Sequence, residues 1–277
     1  MALDDLKVTF LGTGTSAGIP AIGCDCRTCR SDDPRDTRLR TSGVIEFTDA
    51  EGVRRTVLID AGPDLRYQSL RAGLTRCDAV VLTHNHVDHT WGLDELRRFN
   101  VVMESPITVY AETPTFAHLD RVYQHIFQKE TNVNASFVAT LSRQVVVPDS
   151  TVDLLGLVVT PLRVLHGRLP ILAYRFDPSP GMSADHLPLI WATDVSAIPP
   201  ETWPKMGGVK TLVLDMLRHR HHPTHLNLDQ AISVAAEIGA DQTWLVHMAH
   251  EIHHSEVEAS LPEGISLAWD GLVLSPS

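Results

Sequence analysis

The sequence predicts a mixed α/β fold, and three features of its patterning carry that prediction. Short apolar runs rich in β-branched residues recur along the 277-residue chain, at 8–11, 44–47, 56–59, 79–82, 107–110, 157–160, 189–192, 212–214 and 244–246. Each has the length and composition of a strand. Segments with apolar residues at helical spacing lie between several of them, at 64–71, 93–98, 115–127 and 228–238. Residues able to do chemistry then follow one run after another: Asp60, His84, His166, Asp194, Asp215 and His247. Strand ends on one rim of a sheet are where layered folds assemble polar sites, because the scaffold is rigid and the loops admit substrate. The recurrence predicts one composite site.

Taken in order, the first run breaks at Gly12-Thr13-Gly14-Thr15-Ser16-Ala17-Gly18, whose glycines predict a tight turn. That loop could offer backbone N–H groups to a phosphate, yet it lacks the spacing of a dinucleotide or P-loop fingerprint. Arg40, Thr41 and Ser42, ahead of the second run, are candidate phosphate contacts. The run at 56–59 delivers Asp60, which alone would read as a turn or capping carboxylate. Cys77, before the run at 79–82, is expected to be a small buried residue. The helix at 228–238 opens on Asn227, a good N-cap residue. No repeat, low-complexity segment or linker interrupts the pattern, and 43% hydrophobic residues suffice for a sizeable core, so 1–277 reads as one domain.

Composition narrows the function classes. A formal net charge of −11 disfavours long nucleic acids, which bind through clustered Lys and Arg. No segment approaches the roughly 18 uninterrupted apolar residues of a membrane span. The start Met1-Ala2-Leu3-Asp4-Asp5 lacks the basic and apolar regions of a signal peptide, so the expectation is a cytoplasmic protein with no membrane partner. Three of the four cysteines crowd into Cys24-Asp25-Cys26-Arg27-Thr28-Cys29, too tight for a disulfide framework and suited to a metal.

The segment His84-Asn85-His86-Val87-Asp88-His89 carries the chemistry. A strand ending in a tight turn can point alternate side chains the same way, so His84 and His86 could grip one ion while Asp88 and His89 reach a second. Imidazoles and carboxylates suit two divalent ions such as zinc or manganese. A pair about 3.5 to 4 Å apart can share a hydroxide and neutralise the charge that develops in displacement at phosphorus. Nothing in the spacing of His118, His125, His186, His219, His253 or His254 marks them as ligands.

With Asp60, His166, Asp194 and His247 following in that order, the chain resembles the metallo-β-lactamase superfamily, nearly end to end, from Thr9-Phe10-Leu11-Gly12-Thr13-Gly14 through Leu58-Ile59-Asp60-Ala61-Gly62 to Trp244-Leu245-Val246-His247. The resemblance implies an αββα sandwich with the metal site at one sheet edge. It also implies that His84, His86 and His166 hold the first ion, that Asp88, His89 and His247 hold the second, that Asp194 bridges them, and that Asp60 orients a ligand imidazole.

Two further motifs refine this. Cys24, Cys26 and Cys29 with His250, three residues beyond His247, could close a tetrahedral Cys3His site for one structural zinc, which suits this donor set better than an iron–sulfur centre. His225, in His222-Pro223-Thr224-His225, is assigned to neither ion and is a candidate general acid; Asp88 joins it in the catalytic set, and Arg218, His221 and His222 are candidates for the substrate mouth. Together these motifs look like the PhnP type of phosphodiesterase, which opens phosphoribosyl 1,2-cyclic phosphate. The substrate so implied is a small, cyclic sugar or nucleotide phosphodiester, hydrolysed to a phosphomonoester; a homodimer is implied by resemblance alone. One alternative is a ribonuclease Z-type RNA phosphodiesterase, against which the acidic charge and the lack of a basic, glycine-rich arm argue. Another is a non-catalytic cofactor-biosynthesis protein of the PqqB type, which lacks the full dinuclear ligand set. Thioester, lactone and β-lactam hydrolysis fit less well.

Overall fold

The structure, a computed structural model, describes residues 5–133, 137–181 and 183–276. Every strand expected from the sequence forms. The strands are β1 (Lys7–Gly12), β2 (Ser42–Thr48), β3 (Arg54–Ile59), β4 (Ala79–Val81), β5 (Ile107–Ala111), β6 (Leu141–Val145), β7 (Val152–Leu154), β8 (Leu157–His166), β9 (Leu169–Pro178), β10 (Leu189–Ala192), β11 (Thr211–Asp215), β12 (Gln242–Val246), β13 (Ile265–Leu267) and β14 (Val273–Leu274). The helices are α1 (Leu65–Arg71), α2 (Val87–Thr90), α3 (Arg97–Met103), α4 (Thr113–Val122), α5 (Gln124–Phe127), α6 (Trp203–Met206), α7 (Leu228–Ile238) and α8 (His254–Glu258).

The strands form two seven-stranded sheets, ordered β14-β1-β2-β3-β4-β5-β6 and β13-β12-β11-β10-β9-β8-β7. Each is antiparallel where hairpins link neighbours, as in β1-β2-β3 and β8-β9-β10, and parallel from β3 to β6 and from β10 to β13, where crossovers intervene. Phe10, Ile45, Phe47 and Val81 of one sheet pack in a shared core with Leu172, Tyr174, Phe176 and Trp191 of the other. Outside the first sheet lie Leu65, Phe99, Phe116 and Leu119 from α1, α3 and α4; outside the second lie Met206, Leu228, Ala231 and Val257 from α6, α7 and α8. The layering is therefore helix, sheet, sheet, helix, the αββα sandwich expected. Among the described residues no helix is long and apolar enough to cross a membrane.

Several elements differ from expectation. The run at 157–160 is only the beginning of β8, which reaches His166 and pairs along its length with β9. Pro170 and Pro178, near the ends of β9, disguise it, because proline reads as a strand breaker. β6 is a mostly exposed edge strand without an apolar face, and β7, β13 and β14 are too short to show a pattern. The helix expected at 115–127 breaks at Tyr123, whose hydroxyl donates to the Thr90 carbonyl at 3.1 Å. Asn227 does cap α7, in a reciprocal capping box with Gln230.

The two sheets meet closely at Gly43, where an added Cβ would fall 2.4 Å from the Trp191 ring. Trp191 is fully buried and stacks at 5.4 Å from Phe10, so it has no room to retreat. Gly43→Ala is expected to cost about 1–3 kcal/mol through overpacking. Urea unfolding measures it, and an unchanged midpoint would contradict this contact.

Candidate metal centre

Three site residues adopt left-handed backbone conformations: Asp60, Asp194 and His247, with φ of 58°, 59° and 64°. Such angles are uncommon outside glycine, and strain of this kind collects at functional sites. Each residue comes just after a strand, β3, β10 or β12, and the abrupt turn delivers its side chain to the common rim.

Asp60 organises one side of that rim. Its fully buried carboxylate accepts from the Thr83 backbone N–H (2.8 Å), from the Thr83 hydroxyl (2.8 Å) and from His89 Nδ1–H (2.7 Å). Having given its proton to Asp60, the Thr83 hydroxyl accepts from His84 Nδ1–H at 3.0 Å. Both imidazoles are thereby set in the tautomer whose Nε2 carries a bare lone pair. Those two Nε2 atoms are buried and lack a hydrogen-bond partner among the described residues. His166 is set likewise, its Nδ1–H donating to the Thr224 carbonyl at 2.7 Å.

Two groups of potential ligand atoms, each within 4.8 Å, use the expected residues: His84, His86 and His166, and Asp88, His89, Asp194 and His247; His225 also comes within that distance of His166 and Asp194, and of Asp215 and His247. Asp194 touches both. Its Oδ2 lies 3.1 Å from His89 Nε2 and 3.3 Å from His247 Nδ1, and its Oδ1 lies 4.0 Å from His166 Nε2. Asp88 Oδ2 is 3.3 Å from His89 Nε2. Burial pushes the pKa of His84 and His247 down, keeping the lone-pair form. For His89, burial also opposes the charge, but Asp194, Asp60 and Asp88 outweigh it and raise the pKa well above the usual value. Buried imidazole nitrogens crowded against carboxylates, with enough negative charge to hold a proton on His89, fit a pair of divalent cations that would take that charge up.

The cysteine loop closes a second cluster. Cys24, Cys26, Cys29 and His250 bring their ligand atoms within 4.8 Å of one another, with His250 Nδ1 3.0 Å from Cys24 Sγ and 3.4 Å from Cys26 Sγ. The Cys29 backbone N–H, ahead of lesser contributions, lowers the Cys26 thiol to about 6, which favours the thiolate that zinc requires. Arg38, fully buried, braces this loop to the segment carrying His250, donating to the Ala249 carbonyl (3.3 Å), the Ile252 carbonyl (2.8 Å) and Asp36 (3.0 Å).

His225 stands beside the rim, its ring 4.6 Å from that of His166 and stacked 4.9 Å from that of His247. Its Nδ1–H faces Asp215 Oδ1 at 3.1 Å, while Asp215 also accepts from the backbone N–H groups of Asp194 and Leu226. Burial disfavours a charge on His225, yet the Asp215 carboxylate more than compensates and raises its pKa. The sequence placed Asp215 at a strand end without a partner; ten residues separate it from His225, and only the fold joins them. The ring of His222 lies 5.2 Å from that of His225. Arg218 is turned back into its own loop, donating to the carbonyls of Arg220 and His221 at 3.3 Å each.

The early loop and its neighbours are structural. Gly14, Thr15 and Gly18 spend their N–H groups on Leu39, Met248 and Thr15 carbonyls. Thr41 donates to the Gly14 carbonyl, Ser42 to the Ile59 and Asp60 carbonyls, and Arg40 pairs with Asp64, so these phosphate-contact candidates are already occupied within the chain. Cys77 is buried, as expected.

Comparison with known proteins places this arrangement. The β-lactamase superfamily domain matches residues 55–248. A solved diphosphatase of the PhnP family shares 37% identity, with a TM-score of 0.84 over 98% of this chain and 96% of that one. This chain belongs to the β-lactamase superfamily, in its PhnP family. An octanoyltransferase of Porphyromonas gingivalis is 36% identical over 96% of this chain, and the chain spans about half (51%) of that curated relative's length. Zinc-bound PqqB of Methylobacterium extorquens, at 22% identity and a TM-score of 0.75 over 97% of this chain and 99% of that one, shares the fold.

Asp60→Ala is expected to free the His89 ring and the Thr83–His84 relay and to weaken metal binding 10- to 100-fold. Competition with a chromogenic chelator measures it, and unchanged affinity would refute the orienting role. Asp194→Ala should reduce occupancy of both ion positions together; elemental analysis showing loss of only one would refute bridging.

Proposed function

We propose that this chain is a phosphodiesterase that hydrolyses a small, cyclic sugar or nucleotide phosphodiester to a phosphomonoester. The observation that carries the reading is His225: an imidazole outside both ligand groups, held by a buried carboxylate and packed against His166 and His247. In this reading His84, His86 and His166 would hold one ion and Asp88, His89 and His247 the other, with Asp194, which lies close to both groups, available to either. Zinc or manganese there supplies Lewis acidity, lowering the pKa of water and neutralising charge on phosphoryl oxygens. Asp60 and Thr83 hold two ligand rings in register, and Asp88 contributes a carboxylate to the second group. His225, whose Nδ1–H is held by Asp215 so that the ring keeps its charged form, would donate its Nε2 proton to the departing alkoxide. The Cys3His cluster holds one structural zinc that fixes the segment after His247.

A cyclic diester suits this division of labour, because its leaving oxygen stays tethered to the product and needs only one well-placed acid. The net charge of −11 disfavours an RNA substrate that engages a long phosphate backbone. The reading also takes 1–277 as one catalytic unit acting in the cytoplasm.

The test is turnover of metal-replete protein on a cyclic ribose phosphate, with a phosphomonoester and precursor tRNA as comparisons. Cleavage of the cyclic diester alone is expected; activity confined to tRNA would overturn the assignment. His225→Ala should keep its metal and lose about 10² to 10⁴ in kcat, with Asp215→Asn shifting in the same direction by less. Chelation should abolish turnover, and zinc or manganese should restore it.

A further inference from the structure

On the helical side of the first sheet, between α1 and the segment that runs into α3, lies a cavity of about 330 Å³, large enough for a small organic ligand. It shares no lining residue with either metal-ligand group or with His225, so it is separate from the site described above.

Its wall carries Arg66 from α1 and Arg98 from α3. In a chain with 34 acidic and 23 basic residues, an arginine without a carboxylate is the exception. Among the described residues only Arg66, Arg98, Arg121 and Arg168 are arginines with no ion pair or side-chain hydrogen bond, and two of these four share this wall. Neither pairs with Glu95, which lines the same cavity and whose carboxylate also has no partner among the described residues. Two guanidiniums on one wall repel each other, and an oxyanion between them would turn that repulsion into attraction. Ser69, another wall residue and only 8% exposed, adds a buried hydroxyl without a hydrogen-bond partner. Buried hydroxyls are ordinarily satisfied, so the wall is polar beyond what the fold itself uses. Leu70, Leu74 and Phe99 make up the apolar part. Two guanidiniums against one carboxylate leave a single positive charge, which matches a ligand carrying one negative charge.

We propose that the cavity between α1 and α3 is a binding site for a small carboxylic acid with an apolar ring, its carboxylate held by Arg66 and Arg98 and its ring carbons laid on Leu70, Leu74 and Phe99. Planar guanidiniums pair well with a carboxylate, and the apolar wall rewards the ring that a bare anion lacks. Glu95 sets the upper limit on charge, because a second anionic group on the ligand would meet a carboxylate. The site does not depend on the reaction assigned to the metal centre.

Titration calorimetry of the metal-replete protein tests this with benzoate and cyclohexanecarboxylate as probes, acetate as the anion without a ring, and benzyl alcohol as the ring without a charge. At least one of the two ring carboxylates should saturate at millimolar concentration, more tightly than acetate or benzyl alcohol. Replacing both arginines, Arg66→Gln with Arg98→Gln, should weaken that binding about ten- to hundredfold while metal content and the urea midpoint stay put, since both side chains are exposed. Should the double variant lose stability, each single variant decides by the same measure. Affinity unchanged in the deciding variant would place the ligand elsewhere, at the metals for instance, and overturn the site. No saturation by either ring carboxylate, or acetate bound as tightly as both, would overturn it equally.

Discussion

The centre depends on one carboxylate more than on any ligand. Asp60 contacts no other group of the rim directly except His89, yet through Thr83 it also sets His84, and so it fixes one imidazole in each of the two ligand groups. Without it, His89 Nδ1–H would lose its acceptor and the Thr83 hydroxyl would lose the carboxylate that orients it toward His84. The carboxylate can do this because it is buried and because its backbone tolerates a left-handed turn at the end of β3. Strand geometry, backbone strain and imidazole chemistry thus converge on one residue.

The second sheet is tied to the early loop by an analogous device. His247 and His250 lie in one short segment, and Arg38 pins that segment by the carbonyls of Ala249 and Ile252 while Asp36 balances its charge. Burial lowers the Arg38 pKa to about 10, which still leaves the guanidinium charged at neutral pH. The cysteine cluster and the arginine therefore brace the same stretch from two directions. A loop of otherwise irregular structure is made rigid enough to border a site that demands exact placement of its ligands.

Much of this was legible in the sequence. The mixed α/β class follows from strand runs that alternate with helical spacing, the αββα layering follows from the resemblance to the metallo-β-lactamase superfamily, and the His84 to His89 cluster, Asp60, His166, Asp194 and His247 mark the rim because each ends a run. What escaped had physical reasons. β9 is flanked by prolines, β6 lacks an apolar face, and the shortest strands offer too few residues for a period to show. The Asp215–His225 pair depends on a contact between separate elements, which no local pattern encodes. Arg218, a basic residue that reads as a substrate contact, also bonds the carbonyls of Arg220 and His221 in its own loop, which no local pattern foretells.

The bond from His166 to the Thr224 carbonyl has a mechanical consequence. Thr224 belongs to the stretch that presents His225, and His166 occupies the last rung of the long β8–β9 ribbon. That stretch cannot swing outward as a free flap without pulling on a ring of the first group.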